Sequence, residues 1–134
     1  MARLSGTSLD LELHFDPAEP SDGSRERLIR LVGRLEQATQ VDAEKAFREA
    51  VAAGGRFVIL DCAKLEFISS AGIRAFIVLI KLLKPLDGRA AVCAPQPHVR
   101  QALEFSGLKS LLSISSSIDE GRATLSRSGS RLTP

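Results

Sequence analysis

The sequence predicts an α/β layer domain with a mixed, mostly parallel sheet of about four to five strands and about four helices. Three observations carry this reading. From residue 40 onward, short apolar runs alternate with stretches of helical periodicity. Phe57-Val58-Ile59-Leu60 is a continuous apolar run with β-branched residues at its centre, the pattern of a strand covered on both faces. Two strand-like segments also open the chain with no helix between them, so they can pair directly, and this makes the sheet mixed.

In chain order, Leu9, Leu11, Leu13 and Phe15 alternate with Asp10, Glu12, His14 and Asp16, which is a half-exposed strand. Pro17 to Ser24 holds two prolines and an Asp-Gly pair and reads as a loop. Leu28 to Leu35 is a second strand, apolar with Arg30 and Arg34 interleaved. Glu36 to Thr39 turns the chain, and Thr39 with Asp42 three residues on has the form of an N-cap with an acidic first turn. Val41, Ala43, Ala46, Phe47, Ala50 and Val51 then form one apolar stripe, which Gly54-Gly55 ends. The central strand ends at Asp61, and a turn-like segment leads to Ser69-Ser70-Ala71-Gly72 and a long apolar helix closed by Pro85. Arg89 to Ala94 is a small-residue strand. His98 to Ser106 carries Val99, Ala102, Leu103 and, at its end, Phe105 at helical spacing, and Gly107 caps it. Leu108 to Ile114 reads as a last strand, and Ser117 with Asp119 and Glu120 starts a final helix. Residues 1–125 are thus expected to form the domain. Residues 126–134 are polar, basic and aperiodic, the composition of a disordered tail.

The helix after the serine pair divides into two faces at about 100° per residue. Ala75, Phe76, Leu79, Ile80, Leu82 and Leu83 form the wide apolar face for the sheet. Ser70, Arg74, Ile77, Lys81 and Lys84 fall together on the other side, a basic stripe headed by a hydroxyl with one apolar residue in its middle. This stripe is expected to be the working surface.

Bulk composition removes several function classes. A net charge of +2, with basic residues scattered and no Trp or Tyr, argues against nucleic acid. The first fifteen residues lack the apolar core of a signal peptide, and no run reaches membrane-spanning length, so a cytoplasmic protein without membrane insertion is expected. Cys62 and Cys93 lie in or beside core strands. Buried free thiols are the bland reading, with a disulfide or a thiol nucleophile as alternatives. His14 and His98 lack metal-ligand partners at local spacing. Asp61 reads as a structural turn residue. Ser69-Ser70-Ala71-Gly72 lacks the flanking glycines of a nucleophile elbow and has too few glycines for a phosphate-cradling loop. Neither a catalytic residue nor a cofactor or metal is therefore assigned.

A serine before an apolar helix is first of all an N-cap. Here two serines stand where one cap suffices, and Gly72 occupies the first turn despite its poor helix propensity, which permits close approach of another surface.

Phe67-Ile68-Ser69-Ser70-Ala71-Gly72-Ile73-Arg74 resembles the signature loop of STAS domains, in particular bacterial anti-sigma factor antagonists. The resemblance extends to Val32-Gly33-Arg34-Leu35-Glu36 with Thr39, similar to the family's Gly-x-Leu-Asp turn. It also takes in Val58-Ile59-Leu60-Asp61 and the helix and Gly-Leu turn within Pro97 to Leu112. It implies a partner-switching regulator of transcription and signal transduction. Such a protein binds an anti-sigma factor that is also a serine kinase, is phosphorylated in the loop and released, and is reset by a serine phosphatase. By position Ser70 is the phosphorylated residue, with Ser69, which replaces the family's Asp, as a minor candidate. Ser69, Ser70, Ala71, Gly72, Arg74, Ile77, Lys81, Lys84 and Glu36 form the implied partner surface. The alternative within the family is a STAS subunit of a transporter or signalling assembly that holds its partner constitutively. A serine hydrolase using Ser70 is the reading from another class. The oligomeric state, monomer or weak dimer, is left open.

Overall fold

The computed structural model describes the backbone of residues 2–3, 11–15 and 25–131. It contains one six-stranded sheet in the order β1-β2-β3-β4-β5-β6. The strands are β1 (Ala2–Arg3), β2 (Leu11–Phe15), β3 (Glu26–Leu35), β4 (Phe57–Ile68), β5 (Arg89–Cys93) and β6 (Ser113–Ser115). β1 is a two-residue edge pairing, so five strands carry the sheet. β1–β2 and β2–β3 pair antiparallel, and β3 to β6 run parallel. The helices are α1 (Gln40–Ala52), α2 (Ser70–Leu83), α3 (Pro97–Phe105) and α4 (Ile118–Arg131). This is the mixed, mostly parallel α/β fold expected.

The core has two parts because β-strand side chains alternate between faces. Leu11, Leu13, Ile29, Leu31, Val58 and Leu60 point to one face and bury against Ala43, Ala46 and Phe47 of α1 and Ala75, Phe76 and Leu79 of α2. Phe47 and Phe76 meet with ring centroids 6.0 Å apart, an ordinary tilted aromatic contact between the two helices. Leu28, Ile59, Ala91 and Cys93 point to the other face and meet Leu125 of α4. Gly121 lets α4 lie directly on the sheet, since a Cβ there would sit 2.4 Å from Cys93 Sγ.

Three local expectations are corrected. First, the segment after Asp61 is not a turn, because β4 continues to Ile68. Its register against β3 slips between Arg30 and Val32 and again between Gly33 and Arg34, β4 carrying one extra residue each time. Each bulge breaks the alternation of period two, with Ala63 and Lys64 both exposed, and so hides the strand from a pattern reading. Asp61 is therefore mid-strand, where its Oδ2 accepts from Arg30 Nε of β3 at 3.1 Å. Second, Leu108 to Ile114 is not one strand: Leu108–Ser110 forms a 3-10 turn and only Ser113–Ser115 pairs. Third, Val41 and Phe105 are not core residues but 73% and 85% exposed. Each sits at a helix end, beyond the reach of the neighbouring layer. The α4 backbone runs to Arg131. Residues 132–134, with the loop at 17–24 and the start of the first expected strand, lie outside the described residues.

Candidate functional site

The amino end of α2 meets the carboxyl ends of β3 and β4 and the turn that starts α1. Ser69 follows β4 with extended backbone, and its N–H donates to the Leu35 carbonyl at 3.0 Å. Its Oγ accepts a long 3.4 Å bond from the Gly72 N–H, the N-cap interaction. Ser70 is then the first residue of the helix, exposed and without a side-chain hydrogen bond among the described residues. One serine caps the helix and the other is spare.

Gly72 is buried, and the surface that approaches it belongs to this chain. A Cβ at Gly72 would lie 2.5 Å from the Leu35 carbonyl oxygen and 2.8 Å from Ile68. The glycine thus seats α2 on the end of β3. The turn beneath has its own lock: Thr39 Oγ1 donates to the Arg34 carbonyl at 2.8 Å and accepts from the Glu36 N–H at 3.0 Å. Thr39 stands at the N-cap position of α1 but makes no side-chain cap bond, because its hydroxyl is used inside the turn. Gly33, at φ 114°, supplies the left-handed backbone beside the second register slip.

Above these residues lies an open cleft of about 970 Å³, lined by Glu36, Gln37, Ala38, Gln40, Phe67, Ser69, Ser70, Ala71 and Arg74. Arg34 lies over the Phe67 ring at 4.4 Å and reaches Glu36 at 3.6 Å. Stacking and ion pair together fix the rim on the β3–β4 side. Arg74 is exposed one turn along from Ser70 and pairs with no carboxylate among the described residues.

Of the nine residues expected on the partner surface, Glu36, Ser69, Ser70, Ala71 and Arg74 share this cleft. Gly72 lies beneath it. Ile77 is half-buried and packs partly on the core, while Lys81 and Lys84 are exposed at the far end of α2. The expected partner surface left out Gln37, Ala38 and Gln40, which arrive from the α1 turn, and Phe67, which belongs to the signature loop and sits at the hidden end of β4. Only Glu36 carried a signal for that side.

No histidine or carboxylate bonds the Ser70 hydroxyl among the described residues. Burial first, and the Asp61 carboxylate second, push the Cys62 thiol well above its usual range and the Cys93 thiol up to about 11. Both are buried free thiols. Among the described residues no helix is long and apolar enough to cross a membrane.

The sequence matches the STAS domain family over residues 20–121. This chain belongs to the STAS domain family. A candidate anti-sigma factor antagonist of Bordetella bronchiseptica, BtrV, is 34% identical over 102 residues, covering 76% of this chain and 86% of that protein. In structure, an anti-sigma factor antagonist from Mycobacterium paratuberculosis shares the fold at TM-score 0.74 and 20% identity, covering 89% of this chain and 97% of the other. The antagonist SpoIIAA in its unphosphorylated form aligns at TM-score 0.66 and 22% identity, over 81% of this chain and 91% of that one. Its phosphorylated form aligns at TM-score 0.60 and 21% identity, over 81% and 95%. The loop leading into α2 is where this chain's sequence motif and its open cleft coincide.

Proposed function

We propose that this STAS protein is a cytoplasmic anti-sigma factor antagonist that holds an anti-sigma factor with serine kinase activity and is released by phosphorylation of Ser70. The observation that carries the reading is the division of labour in the serine pair. Ser69 is engaged as the cap, so Ser70 can be modified without removing a bond that holds the fold. An Asp in place of Ser69 would cap equally well, so the serine keeps the cap while removing a charge beside the modified hydroxyl.

A phosphate on Ser70 would add about −1.5 to −2 charge. At the first position of a helix, with Arg74 one turn on, the domain itself tolerates that charge. The same charge in a dry protein interface costs several kcal/mol when unpaired. A micromolar complex rests on about 8 kcal/mol, so one modification suffices to separate the partners while the fold stays intact. That SpoIIAA aligns with this chain in both phosphorylation states is consistent with a switch that leaves the fold in place. The contact surface is the cleft rim, Glu36, Ser69, Ser70, Ala71 and Arg74, with Ile77 as its apolar neighbour and Gly72 as support. A serine phosphatase would reset the switch.

The test is incubation of the full chain with candidate kinases and ATP, then mass spectrometry of the loop peptide. A single phosphate on Ser70 is expected. In parallel, Ser70→Asp should lose the kinase partner while its melting temperature barely moves. If Ser70→Asp binds as tightly as the parent chain, the switch is wrong and a constitutive STAS subunit is the better reading.

A further inference from the structure

The basic residues of this chain are not all treated alike. Arg30, Arg34, Arg48, Arg100 and Arg122 each lie within ion-pair distance of a carboxylate. Lys81, Lys84, Arg89 and Lys109 have no such neighbour among the described residues, and Arg89 Nε is buried without an acceptor. These four gather where the carboxyl end of α2 meets the start of β5 and the 3-10 turn at Leu108–Ser110. Between them runs a groove of about 430 Å³, with Ile77, Ile80, Leu83 and Leu111 among its lining residues and Lys81, Lys84 and Arg89 beside them. Lys109 flanks an adjoining hollow that shares Arg89 and Leu111. Asp87 is the single acid in either lining. Leu111 is 59% exposed.

We infer that this groove is a second docking site, for a short acidic segment of a partner protein that presents leucine-like side chains along one face. The inference rests on the reading of this chain as a protein-binding module, though not on Ser70. Charge complementarity selects an acidic occupant, since three or four uncompensated cations surround one carboxylate. The apolar lining selects protruding hydrophobic side chains, as in helix-in-groove recognition. A concave floor takes such side chains well and a bilayer surface poorly. No aromatic ring lines it for a nucleic-acid base to stack on. The groove begins at Ile77, about 10 Å along α2 from Ser70, and its lysines Lys81 and Lys84 lie about 16–21 Å away, at 1.5 Å per residue. That is beyond the Debye length of about 8 Å at physiological salt, so phosphorylation at the other end leaves the groove's affinity nearly unchanged. Occupancy of this groove is therefore independent of the state of Ser70.

The probe is a labelled peptide of about twelve residues with Leu at i, i+3, i+4 and i+7 and Glu at most other positions. It is titrated into the isotope-labelled full chain and followed by amide chemical shifts. Shifts should centre on Ile80, Lys81 and Leu111. Binding should fall about tenfold or more in the triple variant Lys81→Glu, Lys84→Glu, Lys109→Glu, and should be the same in Ser70→Asp as in the parent. A Leu111→Ser variant, at an exposed position, supplies the same comparison if the triple variant does not fold. No shift at up to about 1 mM peptide overturns the inference, and so do shifts centred on the Ser70 cleft. Lysine-dependent binding to phosphatidylserine vesicles without peptide binding overturns it as well, and assigns the groove to a membrane. The Ser70 switch stands or falls separately, in the phosphorylation and Ser70→Asp partner-binding tests above.

Discussion

Two hydroxyl-bearing turns sit side by side in this molecule and are used in opposite ways. The turn before α1 ends in Thr39, which is 1% exposed, with its oxygen bonded at 2.8 Å and 3.0 Å to its own turn. The turn before α2 carries two hydroxyls, of which Ser69 makes one long cap bond and Ser70 makes none. Thr39 is buried and held by both bonds, whereas Ser69 is half-exposed at the cleft with one long bond. The spare one costs nothing to modify, and it lies in the open cleft that the two turns build together. Under the proposed switch a phosphate on Ser70 breaks no such bond, whereas one on Thr39 would break the two that lock its turn.

Substitutions can test the contrast, and the largest effect lies beneath the spare hydroxyl. Gly72→Ala gains about 1 kcal/mol of helix propensity, but its Cβ has to displace the Leu35 carbonyl, a backbone atom that cannot swing aside. A net loss of about 2–3 kcal/mol is expected by denaturant unfolding. Thr39→Val keeps the shape but leaves the Arg34 carbonyl and the Glu36 N–H unpaired, which should cost about 2 kcal/mol. Ser69→Ala removes only a cap, and a long one, so about 1 kcal/mol or less is expected. Ser70→Ala should leave stability within about 0.5 kcal/mol while abolishing phosphate incorporation. If Ser70→Ala destabilises the chain as much as Ser69→Ala, the two hydroxyls share the structural work and the contrast fails.

Much of this was legible before any coordinates. The limits of α2 follow from chemistry within a few residues: a serine cap before it and Pro85 after it, with an apolar face between. The strand–helix order, the half-exposed β2 and the end of α1 at Gly54-Gly55 are equally local. The positions read less well depend on distant parts of the chain. β4 looked as if it stopped at Asp61 because its two bulges exist only in register against β3. Val41 has the spacing of a core residue, but no layer reaches that end of α1.

The sequence by itself therefore determined that a serine pair heads an amphipathic helix in an α/β sheet, since periodicity and capping are written in neighbouring residues. Only the tertiary structure decided which serine is spare, that Gly72 faces Leu35 and not a partner, and that Gln37, Gln40 and Phe67 complete the cleft. Those outcomes depend on which strand end is brought against which helix end. Apart from the local cap bond of Ser69, residues about thirty positions apart in the chain supply the atoms that settle them.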